Sequence, residues 1–184
     1  MNARQAPREY VRQACARYGS ADVVRRCAAL LRGADPAGEE EFLRTLGFRG
    51  ELSWLLKEPN PYWARVWAAR ALRYCWDDTA AAAVLHGLYD EAWRVVEHCA
   101  VIAGDRELAD AVPTLVTLTE DPGPRVRAAA ARAMASVAER EHLPTLLRLT
   151  DDPERIVRVA TEKALAALRD RLDLNPEELT HHDH

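Results

Sequence analysis

Residues 120–134, EDPGPRVRAAAARAM, return in altered spelling at 151–165 as DDPERIVRVATEKAL, so the fold must accommodate one segment twice at an offset of 31 residues. Asp121 matches Asp152, Val126 matches Val157, Arg127 matches Arg158 and Ala133 matches Ala164. The register extends upstream, where PTLVTLTED (113–121) matches PTLLRLTDD (144–152). Self-similarity at a period of roughly 20–50 residues marks a chain built by stacking like units, because one unit cannot bury its apolar face alone.

Each copy has two parts, and each part reads as a helix. Val126, Ala130, Ala133, Met134 and Val137 fall on one face of a 3.6-residue period, and Leu143, Leu146, Leu147 and Leu149 do the same over a shorter run. Asp-Pro dipeptides at 121–122 and 152–153 lie between the parts. Proline is tolerated in the first turn of a helix, where its missing N–H would have no partner, and an acidic residue suits the positive helix N-terminus. The spacing therefore predicts helix, tight turn, helix, with Pro122 and Pro153 opening the second helix. Weaker copies stand earlier: WRVVEHCAV (93–101) and ARVWAARAL (64–72) place Arg94 and Arg65 under Arg127 and Arg158. The steps of 29, 33 and 31 residues, from 65 to 94 to 127 to 158, are too irregular for a coiled coil.

The chain resembles HEAT-repeat (armadillo-like) proteins of the short, bacterial, alanine-rich kind. The resemblance is carried by a proline, an aspartate eight positions on and an arginine six beyond that: Pro113, Asp121 and Arg127, then Pro144, Asp152 and Arg158. It implies an all-α fold, a right-handed α-α superhelix (HEAT-like solenoid) of stacked antiparallel helix pairs. It also implies that Asp121, Arg127, Asp152 and Arg158 form a structural inter-repeat ladder of hydrogen bonds, a joint that bidentate arginine–carboxylate pairing suits. The unit at 79–104 departs from the pattern: it lacks the proline, and Asp90 stands four rather than six residues before Arg94. The organisation expected is one continuous domain: residues 1–58 as degenerate helical repeats or an N-terminal cap, 59–172 as HEAT-like repeats, and 173–184 as a C-terminal tail or truncated capping helix. In that last segment Leu179-Thr180 echoes Leu149-Thr150.

Two sets of residues invite a binding role. Trp63, Trp67, Arg70 and Tyr74 share one face of a helix, with Trp93 near in sequence, and the stripe lies about a third of a turn from the face bearing Ala64, Ala68, Ala71 and Cys75. Aromatic residues with arginine compose the hot spots of protein interfaces and also base-stacking platforms. The positions under Trp67 in the other units, Val96, Ala129 and Ala160, are apolar, so packing and surface readings both fit. The arginine series, Arg65, Arg94, Arg127 and Arg158, could track phosphates, but the ladder accounts for it better.

Chemistry has less support. No nucleophile motif, phosphate loop or dinucleotide glycine pattern occurs, so no catalytic residue is assigned, and the expectation leans away from an enzyme. Some HEAT-repeat hydroxylases that this fold resembles hold two irons with repeated His-Glu pairs. Here the order is Glu97-His98, a single copy, and His181–His184 reads as a tail, so no metal and no cofactor are expected. Cys15, Cys27, Cys75 and Cys99 are widely spaced, with no C-x-x-C, and read as reduced core residues.

A net charge of −4 argues against a surface that binds phosphates everywhere. No signal-peptide core and no apolar run of ~20 residues occurs, which points to a cytoplasmic protein with no membrane partner. The function expected is a non-enzymatic interaction or scaffold module with an unidentified protein or peptide partner on a solenoid face. The alternative is nucleic-acid binding, through a repeat-level resemblance to HEAT-like alkylpurine DNA glycosylases, with Arg65, Arg70, Arg73, Arg94, Trp67 and Trp93 as groove material and Asp90 as the nearby acid. A third idea, action on a bilin-bearing protein, rests on shared HEAT-like repeats alone.

Overall fold

The computed structural model describes residues 6–175 and Glu178, and these contain α-helices, short 3-10 turns and no strand. The all-α solenoid class implied by the repeat is the class found. The echo at Leu179-Thr180 and the tail His181–His184 lie outside the described residues. Among the described residues, no helix is long and apolar enough to cross a membrane. The chain divides into two compact units, Met1–His98 and Cys99–His184.

In the first unit, α1 (Pro7–Tyr18) begins with a proline in its first turn and ends at Gly19, whose φ of 84° breaks the helix while its N–H donates to the Cys15 carbonyl at 2.9 Å. The chain turns at once into α2 (Ser20–Leu31), which buries Val23, Val24, Cys27, Leu30 and Leu31. Two short helices follow, α3 (Glu40–Thr45) and α4 (Leu52–Leu55), in the region read as degenerate repeats. Phe42, Leu43, Leu46, Phe48 and Leu55 are buried there, so this segment belongs to the core rather than decorating it. Helix α5 (Tyr62–Leu72) packs on α2 through a flat face of Ala64, Ala68, Ala71 and Leu72, and α6 (Ala81–Gly87) also packs on α2. Helix α7 (Trp93–Asp105) supplies residues to both units.

The second unit holds the two intact repeats: α8 (Val112–Leu118) with α9 (Pro124–Val137), and α10 (Leu143–Arg148) with α11 (Arg155–Leu172). Helix α9 packs on both α8 and α11. It buries Ala128, Ala129, Ala130, Ala131 and Ala133 together with Val126, Met134 and Val137, so it meets neighbours on nearly all sides. Alanine at so many positions allows close approach. Gly104 of α7 shows how close: a Cβ built there would stand 2.7 Å from the Ala133 Cα. Helix α11 ends at Asp173, whose φ of 51° is left-handed, and the following Leu174 N–H donates to the Arg169 carbonyl at 3.1 Å.

One local expectation is corrected. Pro122 and Pro153 do not open the second helices, which start at Pro124 and Arg155. The preceding aspartates fold the chain first: the Gly123 N–H donates to Asp121 Oδ1 at 2.7 Å, and the Glu154 N–H donates to Asp152 Oδ1 at 2.9 Å. An aspartate that accepts from the N–H two residues on makes a turn of its own, and proline fits its second position. The Asp-Pro pair therefore belongs to the turn. The divergent unit uses the same device, since the Ala92 N–H donates to Asp90 Oδ1 at 2.8 Å just before α7.

Candidate ligand-binding site

The face of α5 about a third of a turn from Ala64, Ala68 and Ala71 carries Trp63, Trp67 and Arg70 at helical spacing, and all three are half-buried. What covers them in part is the link between α3 and α4. Phe48, fully buried, meets Trp67 edge-on with ring centroids 5.0 Å apart, and Trp63 lies 5.6 Å from Trp67. Tyr62 stacks on the outer side of Trp63 at 5.2 Å. Such aromatic pairs add about 0.5–1.5 kcal/mol beyond their area, so the wall is stiff.

The link reaches this position because Gly47 takes a φ of 101°, a left-handed conformation that a side chain rarely adopts. A Cβ there would also press on the Tyr10 ring of α1 at 3.1 Å. Arg70 fixes the link from the other side by donating from Nη2 to the Leu46 carbonyl at 2.9 Å. Arg49 donates from Nη1 to the carbonyls of Arg44 (3.0 Å) and Phe48 (3.2 Å) and lies over the Tyr10 ring at 5.1 Å.

Together these groups enclose a cavity of about 750 Å³ within the first unit, lined chiefly by Tyr10, Phe48, Trp54, Trp63, Trp67 and the two arginines Arg49 and Arg70. That volume lies in the range of pockets that take drug-sized ligands. Among the described residues, no aspartate or glutamate lines it. Burial holds the Arg70 pKa below the ordinary arginine value. Among the described residues, neither Arg49 nor Arg70 has a carboxylate partner. Their neighbours differ: Arg26 pairs with Glu39, Arg44 with Glu40 and Arg65 with Asp90.

Of the five residues expected to bind a partner, the structure brings Trp63, Trp67 and Arg70 into one cavity. Trp93 stands outside the lining but is joined to it through Arg94, whose guanidinium lies 4.2 Å from the Trp93 ring and 5.2 Å from the Trp63 ring. Tyr74, at 43% exposure, does not line the cavity. Sequence reading missed Tyr10, Phe48, Arg49 and Trp54. The signal available was GFRG at 47–50, a phenylalanine and an arginine between glycines.

The residues assigned to the ladder lie in turns and second helices. Arg127 donates from Nε to Asp152 Oδ2 at 2.7 Å and from Nη2 to Asp152 Oδ1 at 2.9 Å, while its Nη1 donates to the carbonyls of Asp121 and Pro122. Arg158 donates to the carbonyls of Asp152 and Pro153. Arg65 holds Asp90 in the same bidentate way at 2.6 and 3.1 Å, also across 25 residues. That pair was hidden in the sequence because Asp90 is out of register with Arg94.

The HEAT-repeat family profile matches residues 99–166. Residues 99–166 are HEAT repeats. A solved structure, human deoxyhypusine hydroxylase in complex with glycerol, is similar to the chain at 31% identity with a TM-score of 0.52. The similarity covers 63% of this chain and 41% of that one, so this chain spans less than half the length of that relative. No curated protein matches the chain.

The two irons implied by resemblance to HEAT-repeat hydroxylases do not fit the residues present. Among the described residues, no group of three or more histidine, cysteine, aspartate or glutamate side chains is placed to hold a metal ion. His98 is lowered to about 4 by burial and then by the charges of Arg73 and Arg70, surroundings that repel a cation. The thiols suit a core: all four cysteines are free, burial pushes the Cys27 thiol upward, and Cys75 is pushed up to about 12 by burial and by a hydrogen bond with Cys15.

Proposed function

We propose that the chain is a non-enzymatic HEAT-type recognition module that binds a protein or peptide partner through the aromatic cavity of its first unit. The observation that carries this reading is the wall itself: Trp63, Trp67, Phe48 and Trp54 converge on one cavity with Arg49 and Arg70. Tryptophan, tyrosine and arginine dominate interface energetics when gathered in one desolvated patch. Stacked helical repeats in general present their binding surfaces on extended faces.

The nucleic-acid alternative has weaker support. Arg65 is engaged by Asp90, and Asp90, the acid that a glycosylase-like reading needs, is itself held by Arg65 and by the Ala92 N–H.

The test is selection from a displayed peptide library against the wild-type chain, with counter-selection on Trp54→Ala and Arg49→Gln variants whose helicity is checked by circular dichroism. Peptides that bind the wild type and are lost on both variants support the reading. Peptides retained equally by the variants, or a labelled duplex DNA that binds at physiological salt where no peptide does, overturn it.

A further inference from the structure

We propose that the cavity reads a free carboxylate: its ligand is the C-terminus of a peptide whose last residue carries a large apolar side chain. The inference rests on the protein-binding reading above and names what that binding recognises.

The charge of the cavity is the first ground. Among the described residues, its lining includes two guanidinium groups and no carboxylate. Arginine is not scarce in acidic partners elsewhere in the same unit, where Arg12 pairs with Glu9, Arg17 with Glu41, Arg25 with Asp22 and Arg65 with Asp90. At the cavity the pattern stops. Arg70 is half-buried and donates to the neutral carbonyl of Leu46, and Arg49 donates to the neutral carbonyls of Arg44 and Phe48. For the partly desolvated Arg70 a neutral partner alone leaves a cost, which an entering anion relieves. The planar guanidinium, with donors left over on each arginine, favours a planar two-oxygen acceptor.

The walls give the second ground. Phe48, Trp54, Trp63 and Trp67 line the same cavity as the arginines with ring surface. A doubly charged group would lose most of its hydration there, whereas a monoanion attached to an apolar group matches both parts of the lining.

A chain end fits better than a passing segment. The surrounding elements are helices and the links between them, and among the described residues there is no strand, so the site offers no sheet edge along which an extended peptide could run. A C-terminal residue concentrates an anion and a side chain at one point, which is what a compact cavity of about 750 Å³ can enclose.

The experiment measures binding to the full chain by titration calorimetry, with tryptophan fluorescence as a second readout because Trp54, Trp63 and Trp67 line the cavity. The probes are the pentapeptide Gly-Ser-Gly-Leu-Phe as its free acid, the same peptide as its C-terminal amide, and free N-acetyl-phenylalanine. The expected result is that the acid binds at least about tenfold more tightly than the amide. Arg49→Gln and Arg70→Gln should each shrink that ratio, and N-acetyl-phenylalanine should bind more weakly than the pentapeptide. The exposed position of Arg49 keeps the test open should Arg70→Gln fold poorly. Equal binding of acid and amide overturns the inference, as does tighter binding of N-acetyl-phenylalanine than of the pentapeptide. If selected peptides bind through the cavity with their anion internal or phosphorylated, this inference falls while the protein-binding reading stands. If no peptide of any kind requires the cavity, both fall.

Discussion

Arg127 grips Asp152 with two charge-assisted hydrogen bonds of 2.7 and 2.9 Å, and the same guanidinium fixes its own turn by donating to the Asp121 carbonyl at 2.8 Å. One side chain therefore ties the turn of one repeat to the turn of the next. The Asp152 carboxyl is held below the usual carboxylate range, first by its hydrogen bonds with Arg127 and then, against the cost of burial, by the Glu154 N–H. Replacing Asp152 with alanine leaves a largely buried guanidinium unpaired and should cost about 3 kcal/mol in urea unfolding. The double variant with Arg127→Ala should cost less than the sum of the two single variants. Because the folded carboxyl is depressed, its contribution is present above pH ~4 and fades as pH falls below that value. A wild-type and Asp152→Asn pair whose stabilities fall in parallel with acid would contradict this.

His98 gives a pH dependence of its own. Its pKa falls from an ordinary 6.5 to about 4 because burial and the neighbouring Arg73 and Arg70 disfavour the charged ring. The unfolded state then binds a proton that the folded state refuses. The neutral ring is fully compatible with folding above pH ~6.5, and stability declines between ~6.5 and ~4 by an amount of order 3 kcal/mol. Nuclear magnetic resonance titration should show the His98 ring unchanged down to pH ~5, and His98→Gln should flatten the decline over that window.

Gly104→Ala tests the closeness of α7 and α9. Alanine is the better helix former by up to ~1 kcal/mol, but its Cβ would stand 2.7 Å from a backbone atom, the Ala133 Cα, which cannot swing aside. The clash should win, lowering stability by about 1–3 kcal/mol in thermal or urea unfolding. A neutral or stabilising result would mean that the two helices separate freely.

The wall tryptophans should behave differently from one another. Trp67 packs against buried Phe48, so Trp67→Ala should cost roughly 3 kcal/mol, whereas Trp54, 45% exposed, should change stability by no more than ~0.5 kcal/mol. Trp54→Ala is therefore the cleaner probe of binding. Comparable destabilisation by the two would place Trp54 in the core.

How much of this could be read beforehand depends on repetition. The two units that match at an offset of 31 residues announce their helices because Val126, Ala130 and Met134 recur as Val157, Thr161 and Leu165 on the same face, and one buried stripe dictates the pair. The cavity has no such echo. Tyr10, Phe48 and Trp54 come from segments that occur once, and they meet α5 only because Gly47 bends the link between two short helices. Periodicity marks a face as apolar or mixed, and it could place Trp63, Trp67 and Arg70 together, but it cannot say what lies opposite. The turns were misjudged for a related reason: a proline after aspartate suits a helix start and an aspartate turn equally, and only the Gly123 and Glu154 N–H bonds distinguish them.

The buried thiols turn the first unit into its own stopwatch. Cys27 and Cys75 are held protonated by their surroundings and shielded from solvent, so an alkylating reagent can take them only in the moments when α2 and α5 part. The pace at which those two sulfurs are consumed counts openings of the frame beneath the cavity, and a ligand seated above it should make the count run slower.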